Sequence, residues 1–290
     1  MALNIKTICE IIGIPDFYRK DLLEIALTHP SYTNEHQYLT RQQQRQQATE
    51  YKRLALLGDA VLSAIVTDYL YHKFPKLDVD ALSSFKSSVL ITKNQLSEFA
   101  EMLNLRQLSL RGRNATEIDK TEQNRFLSET FEALFASIYL EFERDFNHAG
   151  KWLINRFIMP TVNQKFNFDL IQQSVIPSKI EDRKLVVLGS DLLSAIVIDY
   201  LYHRFPDQTQ GKLTQWKSKL VERKGIFTKE IKANLATVYL NWERNFTRTR
   251  DWVIEQFLVT GVENLLAEEK LSEQNVSRSK RRENQQKNSS

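Results

Sequence analysis

The chain has 290 residues, of which 42% are hydrophobic, 26% charged and 10% aromatic, a balance that buries a core without covalent staples. Its one cysteine, Cys9, excludes a disulfide framework and a cysteine-rich zinc site. Lys plus Arg (40) exceeds Asp plus Glu (36) by 4, which permits a polyanionic partner without arguing for one.

In chain order, the N-terminus lacks a basic lead and carries Glu10 and Asp16, unlike a signal peptide. No run of about 18 apolar residues is found, so a soluble, cytoplasmic protein with no membrane partner is expected. Cys9 reads as a small buried apolar residue. Residues 33–53 hold Gln42, Gln43, Gln44, Gln46 and Gln47, a polar stretch that forms a loop or extends a helix end. Leu54, Leu57, Val61, Leu62, Ile65 and Leu70 then recur at three- and four-residue spacing, and 126–142 repeats that period. With few glycines and no Asn-Gly or Asp-Gly turn, the fold class is all-α.

The dominant feature is an internal repeat. RLALLGDAVLSAIVTDYLYHKFP at 53–75 and KLVVLGSDLLSAIVIDYLYHRFP at 184–206 are identical at 15 of 23 positions, at an offset of 131. Leu82, Phe85, Lys86 and Ser87 continue the match to Leu213, Trp216, Lys217 and Ser218. YLEFERDF at 139–146 then faces YLNWERNF at 239–246 at an offset of 100, so the second copy lacks a counterpart to roughly 94–124. The expected organisation is a first domain at 1–158, a connector at 159–183, a shortened repeat at 184–265 and a basic tail at 266–290. Within it, Arg278, Lys280, Arg281, Arg282 and Lys287 against Glu283 give 278–287 a local charge of +4, and 272–290 reads as disordered. His72 and His203 recur just before Phe-Pro, which points to packing at a helix end.

Three ordered motifs, ALTHPSY at 26–32, KRLALLGDAVL at 52–62 and LSETFEALFASIYLE at 127–141, resemble the ribonuclease III family over about 20–158. Residues 184–257 resemble the same domain in degraded form. The resemblance implies a helical endoribonuclease domain that pairs through its signature helix. Each domain of such a pair cuts one strand of double-stranded RNA with Mg2+, Mn2+ being a possible substitute. It places four carboxylates, two on each of two helices. Magnesium takes oxygen ligands and keeps several waters, and carboxylates at i, i+3 or i, i+4 share one helix face.

Carried over by position, Asp59, Glu129 and Glu132 are the expected magnesium ligands, with Asp59 and Glu132 organising the attacking water. Glu129 stands where the family has aspartate. Two family glutamates are Lys52 and Ala55 here, so the site is expected to be impaired. Glu50 lies nine residues before Asp59 and so faces away from it. In the second copy Val186, Ser190, Lys229 and Lys232 face Ala55, Asp59, Glu129 and Glu132, and Asp191 sits about 100° round the helix, so no catalysis is expected there. Lys229, Lys232, Arg278, Lys280, Arg281 and Arg282 are candidate RNA contacts, or solvated charges. A Glu-x-x-Glu pair alone is more often a solvated helix face, and His29 more often a helix-entry or core residue than a ligand.

The small residues Ser63, Ala64, Ser194 and Ala195 would let the signature helices approach, giving an intramolecular pseudo-dimer. The same stripes could equally be each copy's own core. Fewer than 30 residues follow Val262, too few for a separate double-stranded-RNA-binding domain, so weak, salt-sensitive binding is expected. The leading expectation is an RNase III-like protein acting on double-stranded or structured RNA with at most one active site. The alternatives are a catalytically inactive RNA-binding or ribonucleoprotein-assembly protein and, behind it, a protein-interaction scaffold.

Overall fold

The computed structural model describes residues 3–35, 39–112, 120–165, 180–221 and 227–287, with side chains omitted at 180–182, 273 and 275–287. The regular structure among the described residues is helical, apart from one isolated bridge between Thr28 and Leu110. The helices are α1 (Ile5–Ile12), α2 (Lys20–Leu27), α3 (Pro30–Glu35), α4 (Arg41–Lys73), α5 (Val79–Phe85), α6 (Lys93–Met102), α7 (Leu105–Leu108) and α8 (Lys120–Glu141). They continue with α9 (Phe146–Leu153), α10 (Met159–Lys165), α11 (Ile180–Arg204), α12 (Gln210–Val221), α13 (Lys229–Asn241), α14 (Phe246–Val253) and α15 (Val259–Lys287).

Most of the glutamine stretch extends α4. Thr40 accepts the Gln43 amide while the Gln43 side chain accepts the Thr40 amide, a reciprocal cap that starts the helix at Arg41. Phe74-Pro75 and Phe205-Pro206 follow the ends of α4 and α11, because a residue before proline disfavours helical geometry. α12 covers the counterpart of α5 plus the π-helical turn Lys86–Leu90. α6 and α7 fall within the stretch without a counterpart. The π-turn Ile154–Ile158 is reproduced at Ile254–Leu258.

α4 packs on α8, and α11 on α13. α4 and α11 also pack on each other. Their contacts come in reciprocal pairs. The buried Arg53 guanidinium donates to the carbonyls of Tyr202 (2.6 Å), Phe205 (2.7 Å) and Gln208 (2.6 Å) at the end of α11. Lys184, at the matching position, donates to the carbonyls of Pro75 (2.7 Å) and Phe74 (3.3 Å) at the end of α4. Each cation satisfies open carbonyls at a helix C-terminus, where the helix dipole also favours positive charge.

The second reciprocal pair is deeper. Arg144 reaches both oxygens of Asp199, and Arg244 both oxygens of Asp68. Asp199 is fully buried and Asp68 is 3% exposed. Both arginines follow a glutamate, and all four residues are left-handed (φ 52° and 66° at 143–144, 53° and 61° at 243–244). Two consecutive left-handed residues are costly, and here they form the turn from which the arginine crosses to the other repeat. Phe146 and Phe246 stack at 4.2 Å beside these pairs.

Two expectations are corrected. α4 and α11 are each long and apolar enough to cross a membrane, with mean hydropathy of 1.4 and 1.7 in their most apolar windows. Those windows are 72% and 56% buried inside this fold, because each helix packs on the other as well as on its own repeat. The tail expected to be disordered is helical in its backbone to Lys287 as part of α15. Its Glu, Gln, Lys and Arg residues are good helix formers even without an apolar face. Glu269 fastens α15 to α12, accepting from Lys212 Nζ (2.9 Å), Trp216 Nε1 (3.0 Å) and Lys219 Nζ (3.1 Å). Most of the connector, 166–179, lies outside the described residues.

Candidate active site at the α4–α8 crossing

Gly58 sets the site. A Cβ there would stand 1.9 Å from the Glu132 carbonyl oxygen, so only glycine lets α4 cross α8 this closely. The crossing brings Asp59, the next residue on α4, beside Glu132 on α8. The Glu132 carboxyl is held well above the usual glutamate range. Burial is the main cause, the charges of Asp59 and Glu129 add to it, and Lys93 opposes them. Asp59 is open to solvent, yet the protein around it also raises its pKa, and Asp191 adds to that. Lys217, from the second repeat, and Lys86 oppose the rise.

Glu129 belongs to the same neighbourhood, and Arg125 donates to it at 3.1 Å along the helix. Among the described residues no three His, Cys, Asp or Glu side chains converge closely enough to hold a metal. Ala55, on the face shared with Asp59, is 8% exposed and offers no oxygen. Asp59 and Glu132 nonetheless suit magnesium, which is commonly held by one or two carboxylates with waters and substrate phosphate completing its shell. The mutual charge that raises Glu132 is what a cation would relieve.

His29 packs through its ring. Its ring meets Tyr51 and Phe126 edge-on at 5.4 and 4.9 Å, and burial lowers its pKa. His72 and His203 each bond through Nδ1 to the carbonyl four residues earlier, at 2.7 and 2.8 Å. Glu50 lines a separate cleft with Asp21 and Glu24 and pairs with Gln46 at 3.1 Å. The thiol of Cys9 is buried, which raises its pKa.

The second repeat reproduces the crossing without the acids. A Cβ on Gly189 would stand 1.8 Å from the Lys232 carbonyl oxygen, so Lys232 occupies the place of Glu132. Ser190, in the place of Asp59, turns its hydroxyl to the Val186 carbonyl at 2.7 Å. Asp191 is engaged by Lys86 and Thr67 of the first repeat. Lys229 is exposed at the first turn of α13. The side chains of Arg278, Lys280, Arg281 and Arg282 lie outside the described residues. Sequence reasoning did not single out Lys86 and Lys217 as neighbours of the acids, although their recurrence in both copies was the available signal.

Residues 19–161 match the Ribonuclease-III-like family model. Among curated relatives, Ribonuclease 3 of Enterococcus faecalis is 33% identical over 147 residues, 51% of this chain and 59% of its own length. Ribonuclease 3 of Borreliella burgdorferi is 33% identical over 144 residues, 50% of this chain and 54% of its own. Among solved structures, the nuclease domain of ribonuclease III from Campylobacter jejuni aligns with 28% identity and a TM-score of 0.43, over 56% of this chain and 99% of that one. The chain thus spans little more than half the length of the curated relatives.

Proposed function

From the premise that this chain belongs to the ribonuclease III family through its first repeat, we propose that it is an endoribonuclease of double-stranded or structured RNA with one working site. That site lies at the α4–α8 crossing. The observation that carries the reading is the pairing of Asp59 with Glu132 across Gly58, set against Lys232 across Gly189. Asp59 and Glu132 would hold Mg2+, or Mn2+ in its place, with Glu129 adding charge nearby. When bound, the ion would activate water and neutralise charge at the scissile phosphate. The two carboxylates orient the attacking water, and Lys217 lends positive charge from the second repeat. The repeats act as an intramolecular pseudo-dimer, which the reciprocal Arg53/Lys184 and Arg144/Arg244 contacts support. Lys229 and Lys232 face the RNA backbone as cations, and the basic end of α15 adds to binding.

Ala55, together with the lack of three converging ligands, favours a second reading, an RNA-binding protein without turnover. One experiment separates the two: cleavage of end-labelled double-stranded RNA in Mg2+ and in Mn2+, wild type beside Glu132→Ala. Cleavage that vanishes in the variant is expected. Binding without cleavage in either protein would give the second reading instead.

A further inference from the structure

We propose that a cleft beside the acidic pair is a phosphate subsite for the RNA backbone, with Lys52 as its principal contact; this rests on the proposed action on RNA. The cleft has a volume of about 380 Å³ and is walled by His29, Ser31, Lys52, Arg125 and the carboxylates Glu122 and Glu129 over the ring of Phe126. Lys52 lies seven residues before Asp59, about 700° of helical rotation, so cleft and acid pair open along one face of α4. Its ammonium is exposed and makes no ion pair or hydrogen bond among the described residues.

Two cations and two carboxylates line the cleft, and the exposed Lys52 is what recommends it to an anion. Arg125 already pairs with Glu129, and Lys52 repels a divalent ion. The Ser31 amide donates to His29 Nδ1 at 3.2 Å and the Gly112 amide to Ser31 Oγ at 3.0 Å. The ring nitrogen that keeps a proton is therefore Nε2. A phosphodiester oxygen accepts from such donors, and contacts of this type set the register of a duplex without reading its sequence.

The test is equilibrium binding of a fluorescent RNA duplex in EDTA, so that nothing is cut, across a potassium chloride series. Loss of one phosphate contact reduces the salt slope by about 1. Lys52→Ala is expected to show that drop and to bind roughly five- to tenfold more weakly at 0.1 M salt. Lys52→Arg is expected to bind like the wild type. Lys151→Ala, on α9 outside the cleft, removes the same charge and is expected to leave the slope unchanged. A Lys52→Ala protein with wild-type slope and affinity would overturn the subsite, as would an equal drop in Lys151→Ala. Failure of the wild type to bind the duplex at low salt would overturn the RNA reading itself, and the subsite with it.

Discussion

α8 and α13 carry matched sequence at an offset of 100, yet they live in different surroundings. α8 is covered by α4 on one side and by α2 and α6 on others, and Phe131, Leu134 and Phe135 are fully buried. α13 packs chiefly on α11 and has no counterpart of α6 over it. There Leu134 becomes the exposed Asn234 and Phe131 the half-buried Ile231, while Tyr239 stays as buried as Tyr139. Where cover was lost the helix became polar, and where the two repeats meet it did not. Glu129 and Glu132 lie on the part that changed, and they became lysines. The second repeat keeps the residues that meet the first and carries lysines in place of the carboxylates proposed to hold metal.

That comparison can be broken in several ways. The largest effect should come from Leu134→Asn, which empties a packed volume and buries an amide, at about 5 kcal/mol in denaturant unfolding. Asn234→Leu should change stability by no more than about 0.5 kcal/mol. Equal losses would mean that α13 is covered by something. Gly58→Ala and Gly189→Ala should each cost about 3 kcal/mol by forcing a methyl into a backbone carbonyl, and by similar amounts, since the crossings match. A tolerated Gly189→Ala would show that the second crossing is looser.

Asp199→Ala and Asp68→Ala should each cost about 3 kcal/mol, since each strands an arginine at the junction of the repeats. A loss in only one would make the junction asymmetric. The smallest effect concerns charge. Glu132 binds its proton more tightly folded than unfolded, so it favours folding below its ordinary pKa of 4.5, and that contribution is lost as pH rises through its raised folded value. At pH 7.5, Glu132→Gln should therefore melt higher than the wild type, on the order of a few °C, and the gap should close as pH falls towards 4.5. An unchanged melting profile would place Glu132 in ordinary solvent.

The repeat and the all-helical class were legible in the sequence, whereas Asp59 and Glu132 were singled out together only through the family resemblance. Identity at fixed offsets and apolar spacing are local signals that a single sequence displays. The junction was harder. Arg53, Asp68, Arg144 and their counterparts are charges inside apolar stretches, and only their recurrence at two offsets marked them. Their partners are more than 50 residues away in the chain, which no local spacing encodes. The helical tail was missed because Glu269 of α15 fastens its helix to α12, a tertiary contact, ahead of a polar sequence that propensity alone leaves undecided. The cleft at Lys52 was seen only as a departure from a family motif, since its walls come from three separate segments.

The central claim is that the first repeat holds an ion and the second cannot. The most direct test is a Mn2+ titration of the full chain followed by electron paramagnetic resonance, counting bound ions in the wild type, Glu132→Gln and Lys232→Ala. One ion per chain, lost in Glu132→Gln and kept in Lys232→Ala, is the predicted result. Two ions, none, or one that survives Glu132→Gln would contradict the account.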